Sequence, residues 1–195
     1  MHIIELDRRA VAESVWVVSL VEPAALGGPT PCAQWTLGDL IAHMTVQHRG
    51  FAAAARGAGA DPRVWEVAPL GDDPVAAYAA AAEDVVAAFA EPGAAGARFA
   101  LPEFSTEVTF RGERAIGFHC LDYVVHTWDV ASALGVPLDL PPDLVRAALP
   151  LAEAVPDGPG RAEPAAAFAP RLAAAPDATD LDRLLALVGR SPDWR

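Results

Sequence analysis

The segment FHCLDYVVHTWDVA, residues 118–131, is the part of the chain with the clearest potential for chemistry. Side chains four residues apart lie on one face of a helix, so Asp122 and His126 are neighbours there. His119, three residues before Asp122, lies close to the same face. A carboxylate and an imidazole one turn apart can fill two coordination positions of a divalent metal ion. This spacing predicts part of a metal site and requires a further ligand from another element.

The third ligand can come from an earlier segment that carries two histidines, His43 and His48. Its apolar residues recur at helical spacing, with His48 among them and His43 at their edge. Periodicity alone therefore favours His48 as an inward-facing, hydrogen-bonded core residue and His43 as a boundary residue. The apolar stripe consists of Leu37, Leu40, Ile41, Met44 and Phe51.

An ordinary amphipathic helix is the alternative interpretation of residues 118–131. Burial of the apolar face opposite the candidate ligands would leave His119, Asp122 and His126 in water. That face consists of Leu121, Val124, Val125 and Trp128, of which the tryptophan is expected in the core. Asp129 can orient a ligand histidine through a hydrogen bond to the ring nitrogen that does not bind the metal, or it can form an ion pair at the surface.

The elements that position these residues are predicted to be mostly helical. Hydrophobic residues make up 53% of the 195 residues, and alanine, the best helix former, supplies many of them in runs at 52–55 and 79–82. A chain of this length supports one hydrophobic core. We therefore predict a single domain over residues 1–195 without an internal repeat.

The apolar periodicity and the capping signals give the expected bounds of the elements. Thr36 followed by Asp39 predicts a capped helix start, Gly135 predicts a helix end, and Asp180 is the expected cap of the last helix. Residues 98–112 interrupt the helical pattern with a β-prone stretch and are expected to form a short hairpin or extended excursion. Residues 156–178 are expected to form a surface loop. The predicted helices span about 7–22, 36–57, 73–91, 113–134, 141–155 and 181–188.

Charge and cysteine content exclude several classes of protein. The formal net charge is −12, and all 14 basic residues are arginines scattered along the chain, which argues against a nucleic-acid partner. Apolar stretches stay well short of the roughly 20 residues that span a bilayer. The N-terminus lacks the pattern of a signal peptide, so we expect a cytoplasmic protein without a membrane association. Cys32 and Cys120 lie far apart and are expected to be reduced, buried thiols.

Four short motifs carry a resemblance to a known family. The residues TPC at 30–32, WTLGDLIAHM at 35–44 and DYVVHTWDVA at 122–131 resemble the metal-binding domain of mycothiol-dependent maleylpyruvate isomerase. The ending DRLLALVGRSPDW at 182–194 resembles that of uncharacterised single-domain actinobacterial relatives. The resemblance implies a mainly all-α fold, the DinB/YfiT-like antiparallel four-helix bundle with extra short helices, and a metal at its open end.

The resemblance also assigns residues to the site, position by position. It implies that the metal ligands are His43, Asp122 and His126. Other members often have histidine or glutamate where this chain has Asp122. The substrate-binding residues are expected to be Met44, His48, Tyr123 and His119, although Tyr123 also suits a half-buried structural role. No catalytic residue is assigned.

The implied chemistry is that of a divalent metal with an open coordination position. Zinc is the first expectation, and nickel or iron suits the same nitrogen and oxygen ligands. Mycothiol bound there as a thiolate would attack a small electrophilic substrate, giving S-transfer or isomerisation. The chain has no room for the isomerase's second domain, so the named isomerisation does not transfer. Two alternatives remain: a small-molecule-binding or cyclase-type accessory protein, and a helical homodimer with a structural role.

Overall fold

The computed structural model describes residues 2–32, 34–163 and 166–194, and helices dominate these ranges. One small antiparallel sheet pairs β1 (Arg98–Ala100) with β2 (Thr109–Arg111), and Phe99 lies opposite Phe110. The mainly all-α fold and the excursion near residues 98–112 are thereby confirmed. The α-helices are α1 (Ile3–Val18), α2 (Leu37–Ala55), α3 (Pro74–Ala90), α4 (Gly112–Leu134), α5 (Pro142–Glu153) and α6 (Asp180–Leu187). Single 3-10 turns lie at Pro23–Ala25, Pro62–Trp65, Ala94–Gly96 and Pro159–Ala162.

The first four helices form the core of the fold. Helix α1 packs chiefly on α4, and α2 packs chiefly on α3. Further contacts between α1 and α3 and between α2 and α4 complete the four-helix core. Helix α5 packs on α4, and α6 packs on α5. Among the described residues, none of the helices combines the length and apolarity that a membrane crossing requires.

The ends of α2 and α4 follow the sequence signals. Thr36 and Asp39 form a complete capping box at the start of α2, in which each side chain accepts a hydrogen bond from the other residue's backbone N–H. Helix α4 ends at Gly135, whose φ of 64° lies in the left-handed region that glycine adopts without strain. These two helices carry the candidate ligands, so their capped ends set the register of the site.

The predicted bounds of α1 and the predicted cap of α6 were wrong. Helix α1 begins and ends about four residues earlier than the predicted 7–22. It begins earlier because the His2 side chain caps its first turn. It ends earlier because Leu20 and Val21 form i→i−3 hydrogen bonds ahead of Pro23. The cap of α6 is Thr179 rather than Asp180, because the Thr179 hydroxyl accepts a hydrogen bond from the Asp182 N–H in a second capping box.

Candidate metal centre

Helices α2 and α4 bring together the three predicted ligands, His43, Asp122 and His126. One donor atom from each of them lies within 4.8 Å of the other two. The Nε2 atom of His126 is 3.3 Å from Oδ1 of Asp122. Nitrogen and oxygen donors bound to one tetrahedral ion at about 2.1 Å are separated by roughly 3.4 Å. This pair already has the required spacing, and the His43 donor lies within 4.8 Å of both atoms.

The burial of α4 decides against the ordinary amphipathic alternative. The side chain of His126 is 4% exposed, and His119 is fully buried. The side chain of Asp122 retains 24% exposure, so the centre lies at the edge of the core with one side open. Trp128, as predicted, is also buried. Helix α4 therefore has polar groups on its inward side, where periodicity expects apolar ones.

Electrostatics favours the metal-binding protonation states of two ligands. Burial, followed by the nearby charge of His126, lowers the pKa of His43 to about 4, so this imidazole is neutral at pH 7. Burial opposes ionisation of Asp122, but the charge of His126 and its hydrogen bond outweigh that effect, and the pKa of Asp122 is about 2. Metal binding requires neutral imidazole and ionised carboxylate.

His126 is held as a cation between two carboxylates when no metal is bound. Burial opposes its charge, but Asp122 and Asp129 together raise its pKa well above the ordinary value. Its Nδ1 atom is 2.8 Å from Oδ2 of Asp129, which is fully buried. Asp129 thus fixes the ring and leaves Nε2 facing Asp122, as expected of the outer partner of a metal-ligating histidine.

Trp35 covers the mouth of the centre, a position that the sequence did not predict. Its ring centroid is 4.6 Å from that of His43 and 6.5 Å from that of His126, and the residue is 36% exposed. The available signal was its place three residues after Cys32 and directly before Thr36, the N-cap of α2. A ring in this position can shield the two candidate ligands from bulk water.

Gln47 and Glu103 form a second polar feature near the ligands. The Nε2 group of Gln47, one turn beyond His43 on α2, donates a 2.9 Å hydrogen bond to Oε2 of Glu103 in the segment between β1 and β2. Much of Glu103 is exposed, but burial of its carboxyl group, with a smaller effect of the Asp122 charge, raises its pKa. The hairpin thereby places a proton-accepting group close to the centre.

A second set of potential ligands lies on the other side of His126. Cys32, His126 and Asp129 also have donor atoms within 4.8 Å of one another. Both cysteines are free, and Cys120 is buried as predicted, but Cys32 is half-buried, and its sulfur is 3.3 Å from Oδ2 of Asp129. Arg190 donates to both residues. The loop before α2 therefore folds back onto α4, which residue spacing could not predict.

The four predicted substrate-binding residues lie together in the core. Met44, His48, His119 and Tyr123 are fully buried. The Nε2 atom of His119 is 3.1 Å from Nδ1 of His48, whose ring stacks on Tyr123 at 4.0 Å, and the Tyr123 hydroxyl donates to the Met44 carbonyl. His48 is the inward histidine and His43 the boundary one, as periodicity predicted. Substrate binding by these four residues stays a prediction.

Asp7 of α1, which was not among the predicted site residues, completes that buried group. Its Oδ1 atom is 2.6 Å from Nδ1 of His119, so one carboxylate and two imidazoles form a continuous chain between α1, α4 and α2. Burial raises the pKa of Asp7, while the neighbouring His119 opposes this shift. The signal was available, because Asp7 lies four residues before Val11 on the inward stripe of α1.

The depressed pKa of His43 predicts a pH dependence of stability. The unfolded chain takes up a proton on this histidine near pH 6.5, whereas the folded chain does so only near pH 4. The unfolded state binds more protons between these values, so the free energy of unfolding of the metal-free protein should fall as pH decreases from 6.5 to 4. The loss due to one such group is at most about 1.4 kcal/mol per pH unit.

Urea unfolding at pH 7, 6 and 5 tests this dependence. His43→Gln should unfold with a shallower pH slope than the wild type, although a slope from buried His48 persists. The exposed His2→Gln variant is the control and should keep the wild-type slope. An unchanged slope in His43→Gln would show that His43 has the same pKa in the folded and the unfolded chain.

A helical core that carries two histidines and one carboxylate as candidate metal ligands is typical of one class of protein, and comparison with known families identifies that class. Residues 8–131 match the family model of the mycothiol maleylpyruvate isomerase N-terminal domain, and the chain belongs to this metal-binding family. Two similar proteins come from Mycobacterium tuberculosis, the uncharacterized proteins MT0763 (strain CDC 1551 / Oshkosh) and Rv0738 (strain ATCC 25618 / H37Rv). Each is 35% identical over 173 residues, which cover 85% of this chain and 85% of the relative. No solved structure matches the chain significantly.

Proposed function

We propose that this protein is a divalent-metal-dependent enzyme that uses a low-molecular-weight thiol, mycothiol or a close analogue, for S-transfer to, or isomerisation of, a small electrophilic substrate. The observation that carries the proposal is the convergence of His43, Asp122 and His126 at the open edge of the helical core. Membership of a mycothiol-linked family supports the choice of thiol.

The donor set fits a catalytic metal ion. His43 and His126 offer imidazole nitrogens and Asp122 a carboxylate oxygen, a combination that suits zinc first and also nickel or iron. Three protein donors leave a coordination position open, which is typical of catalytic rather than structural sites. When bound, the ion supplies Lewis-acid stabilisation that converts a coordinated thiol to its thiolate near neutral pH.

The surrounding residues prepare the centre for that chemistry. Asp129 keeps the Nδ1 proton of His126 in place, so the Nε2 atom is the one that gives up its proton and becomes a ligand. The exposed ring of Trp35 covers the mouth beside His43 and limits access of water. Glu103, held by Gln47, is a further carboxyl group near the centre, and its raised pKa suits it to take up the proton that a binding thiol releases.

Metal content tests the proposal directly. The purified protein should contain about one divalent ion per chain, measured by elemental analysis after dialysis against a metal-free buffer that removes loosely held ions. His43→Ala and His126→Ala should each lose that ion, because two remaining donors do not hold it against dialysis. Both variants should keep their helical circular dichroism, since each removes a side chain at the edge of the core.

His2→Ala is the matched control, because it removes a histidine that lies outside the centre and should retain the full metal content. Full metal content in both ligand variants would show that the ion binds elsewhere, and His48 would then be the next residue to replace.

A further inference from the structure

The two sets of potential ligands share His126 but use different atoms of its ring. Nε2 faces Asp122 at 3.3 Å, and Nδ1 faces Asp129 at 2.8 Å. Cys32 joins Asp129 on the Nδ1 side, with its sulfur 3.3 Å from Oδ2. A thiol, an imidazole and a carboxylate gathered in this way form a good zinc-binding set. The chain therefore presents two neighbouring places that could attract a metal ion.

The guanidinium group of Arg190 lies against the second of these places. Its Nε donates to Oδ1 of Asp129 at 2.9 Å, and its Nη2 donates to Oδ2 at 3.1 Å, a two-pronged contact with one carboxylate. The same Nη2 atom is 3.1 Å from the sulfur of Cys32. Arg190 is only 6% exposed, and Asp129 is fully buried. A permanent cation of the chain thus contacts two of the three donors.

We propose that Arg190 is a positioning residue that fills the Cys32–His126–Asp129 set with a permanent positive charge and so directs the metal ion to the Nε2 side of His126. The preference of the metal ion for the Nε2 side of His126 rests on the proposed function, whereas the occupation of the Cys32–His126–Asp129 set by Arg190 does not. Arginine suits this role because its guanidinium group stays protonated and matches a carboxylate with two parallel donors.

The charge balance around Asp129 supports this role. Removal of Arg190 would leave a fully buried carboxylate with only His126 and the Cys32 thiol as partners. A divalent cation is then the group that best restores the balance, since it takes the carboxylate and the thiolate as ligands together. Arg190 lies beyond the family match at residues 8–131, so the C-terminal part of this chain adds a component to the centre.

Cobalt(II) spectroscopy distinguishes the two sets, because a thiolate ligand gives a near-ultraviolet sulfur-to-cobalt charge-transfer band and imidazole or carboxylate ligands do not. The wild type should bind cobalt without that band. Arg190→Gln should acquire the band, and its affinity at the His43 side should fall by about 10- to 100-fold in a chelator competition. Arg190→Lys, which keeps a cation, should remain closer to the wild type.

Cysteine variants identify the sulfur. Arg190→Gln combined with Cys32→Ser should lose the band, whereas the combination with Cys120→Ala should keep it. Arg190→Met preserves most of the side-chain volume and replaces Arg190→Gln if circular dichroism shows that the latter has unfolded.

The outcomes separate this inference from the proposed function. Cobalt binding by the wild type together with an unchanged spectrum and affinity in Arg190→Gln would overturn the role of Arg190 and leave the function standing. Absence of cobalt binding in the wild type with a Cys32-dependent band in Arg190→Gln would overturn the function and support the inference. Absence of binding in both proteins would overturn both.

Discussion

The zinc-loaded protein is expected to accelerate the attack of mycothiol on a haloaromatic electrophile by about tenfold or more at pH 7. A free thiol with a pKa near 8.5 is only a few per cent thiolate at this pH, and full ionisation raises the reactive fraction roughly 30-fold. The lower nucleophilicity of a stabilised thiolate offsets part of this gain, and positioning at the centre adds to it. Initial rates of conjugate formation measure the effect.

Three variants make that measurement specific. His126→Ala should reduce the rate to that of free zinc and thiol, because it removes a ligand that faces Asp122. His2→Ala should keep the wild-type rate. A fully zinc-loaded protein that fails to accelerate conjugation with several thiols and electrophiles would contradict the enzyme proposal and favour a small-molecule-binding protein. Glu103→Gln should reduce the rate less than His126→Ala, since it leaves the ligands intact.

The largest expected effect on stability comes from the junction between β2 and α4. A Cβ atom on Gly112 would lie 1.9 Å from the carbonyl oxygen of Ala94 and 3.0 Å from Cε1 of Phe99. The backbone oxygen cannot rotate away, and the Gly112 N–H already donates to the Ala97 carbonyl at 2.8 Å. Gly112→Ala should therefore lower the free energy of unfolding by about 3 kcal/mol or more, measured by urea unfolding.

Gly117→Ala in the same helix is the matched control. Its Cβ would lie 3.4 Å from Cδ2 of Leu151 and 3.9 Å from Cδ1 of Ile3, ordinary van der Waals distances. Alanine is a better helix former than glycine, so this variant should gain about 0.5–1 kcal/mol. Equal changes in the two variants would contradict the steric explanation for Gly112.

The sequence predicted the parts of the site that depend on local spacing. Asp122 and His126 lie one helical turn apart, and the Thr36–Asp39 capping box fixes where α2 begins. Helical periodicity also distinguished inward His48 from boundary His43. These results follow from interactions within one element, where the sequence separation determines the geometry.

The rest of the site could not be predicted, because it depends on contacts between distant segments. Cys32 and Arg190 are separated by 158 residues, and Asp129 and Arg190 by 61. Nothing in the spacing of these residues indicates that the end of the chain returns to α4. The periodic pattern of α4 was also misleading, since an apolar stripe predicts polar residues in water, whereas His119 and Asp129 are fully buried and paired.

The buried contact between Asp7 and His119 can form only after both residues have been synthesised. The two residues are 112 positions apart, and α1 makes its main contacts with the helix that carries His119. A ribosome adds about 5–20 residues per second, so His119 is added roughly 6–22 s after Asp7. The apolar face of α1, which includes Leu6, Val11 and Val17, is without its final cover for that time. A chaperone that binds exposed apolar helices therefore has its best opportunity at the N-terminus of the nascent chain.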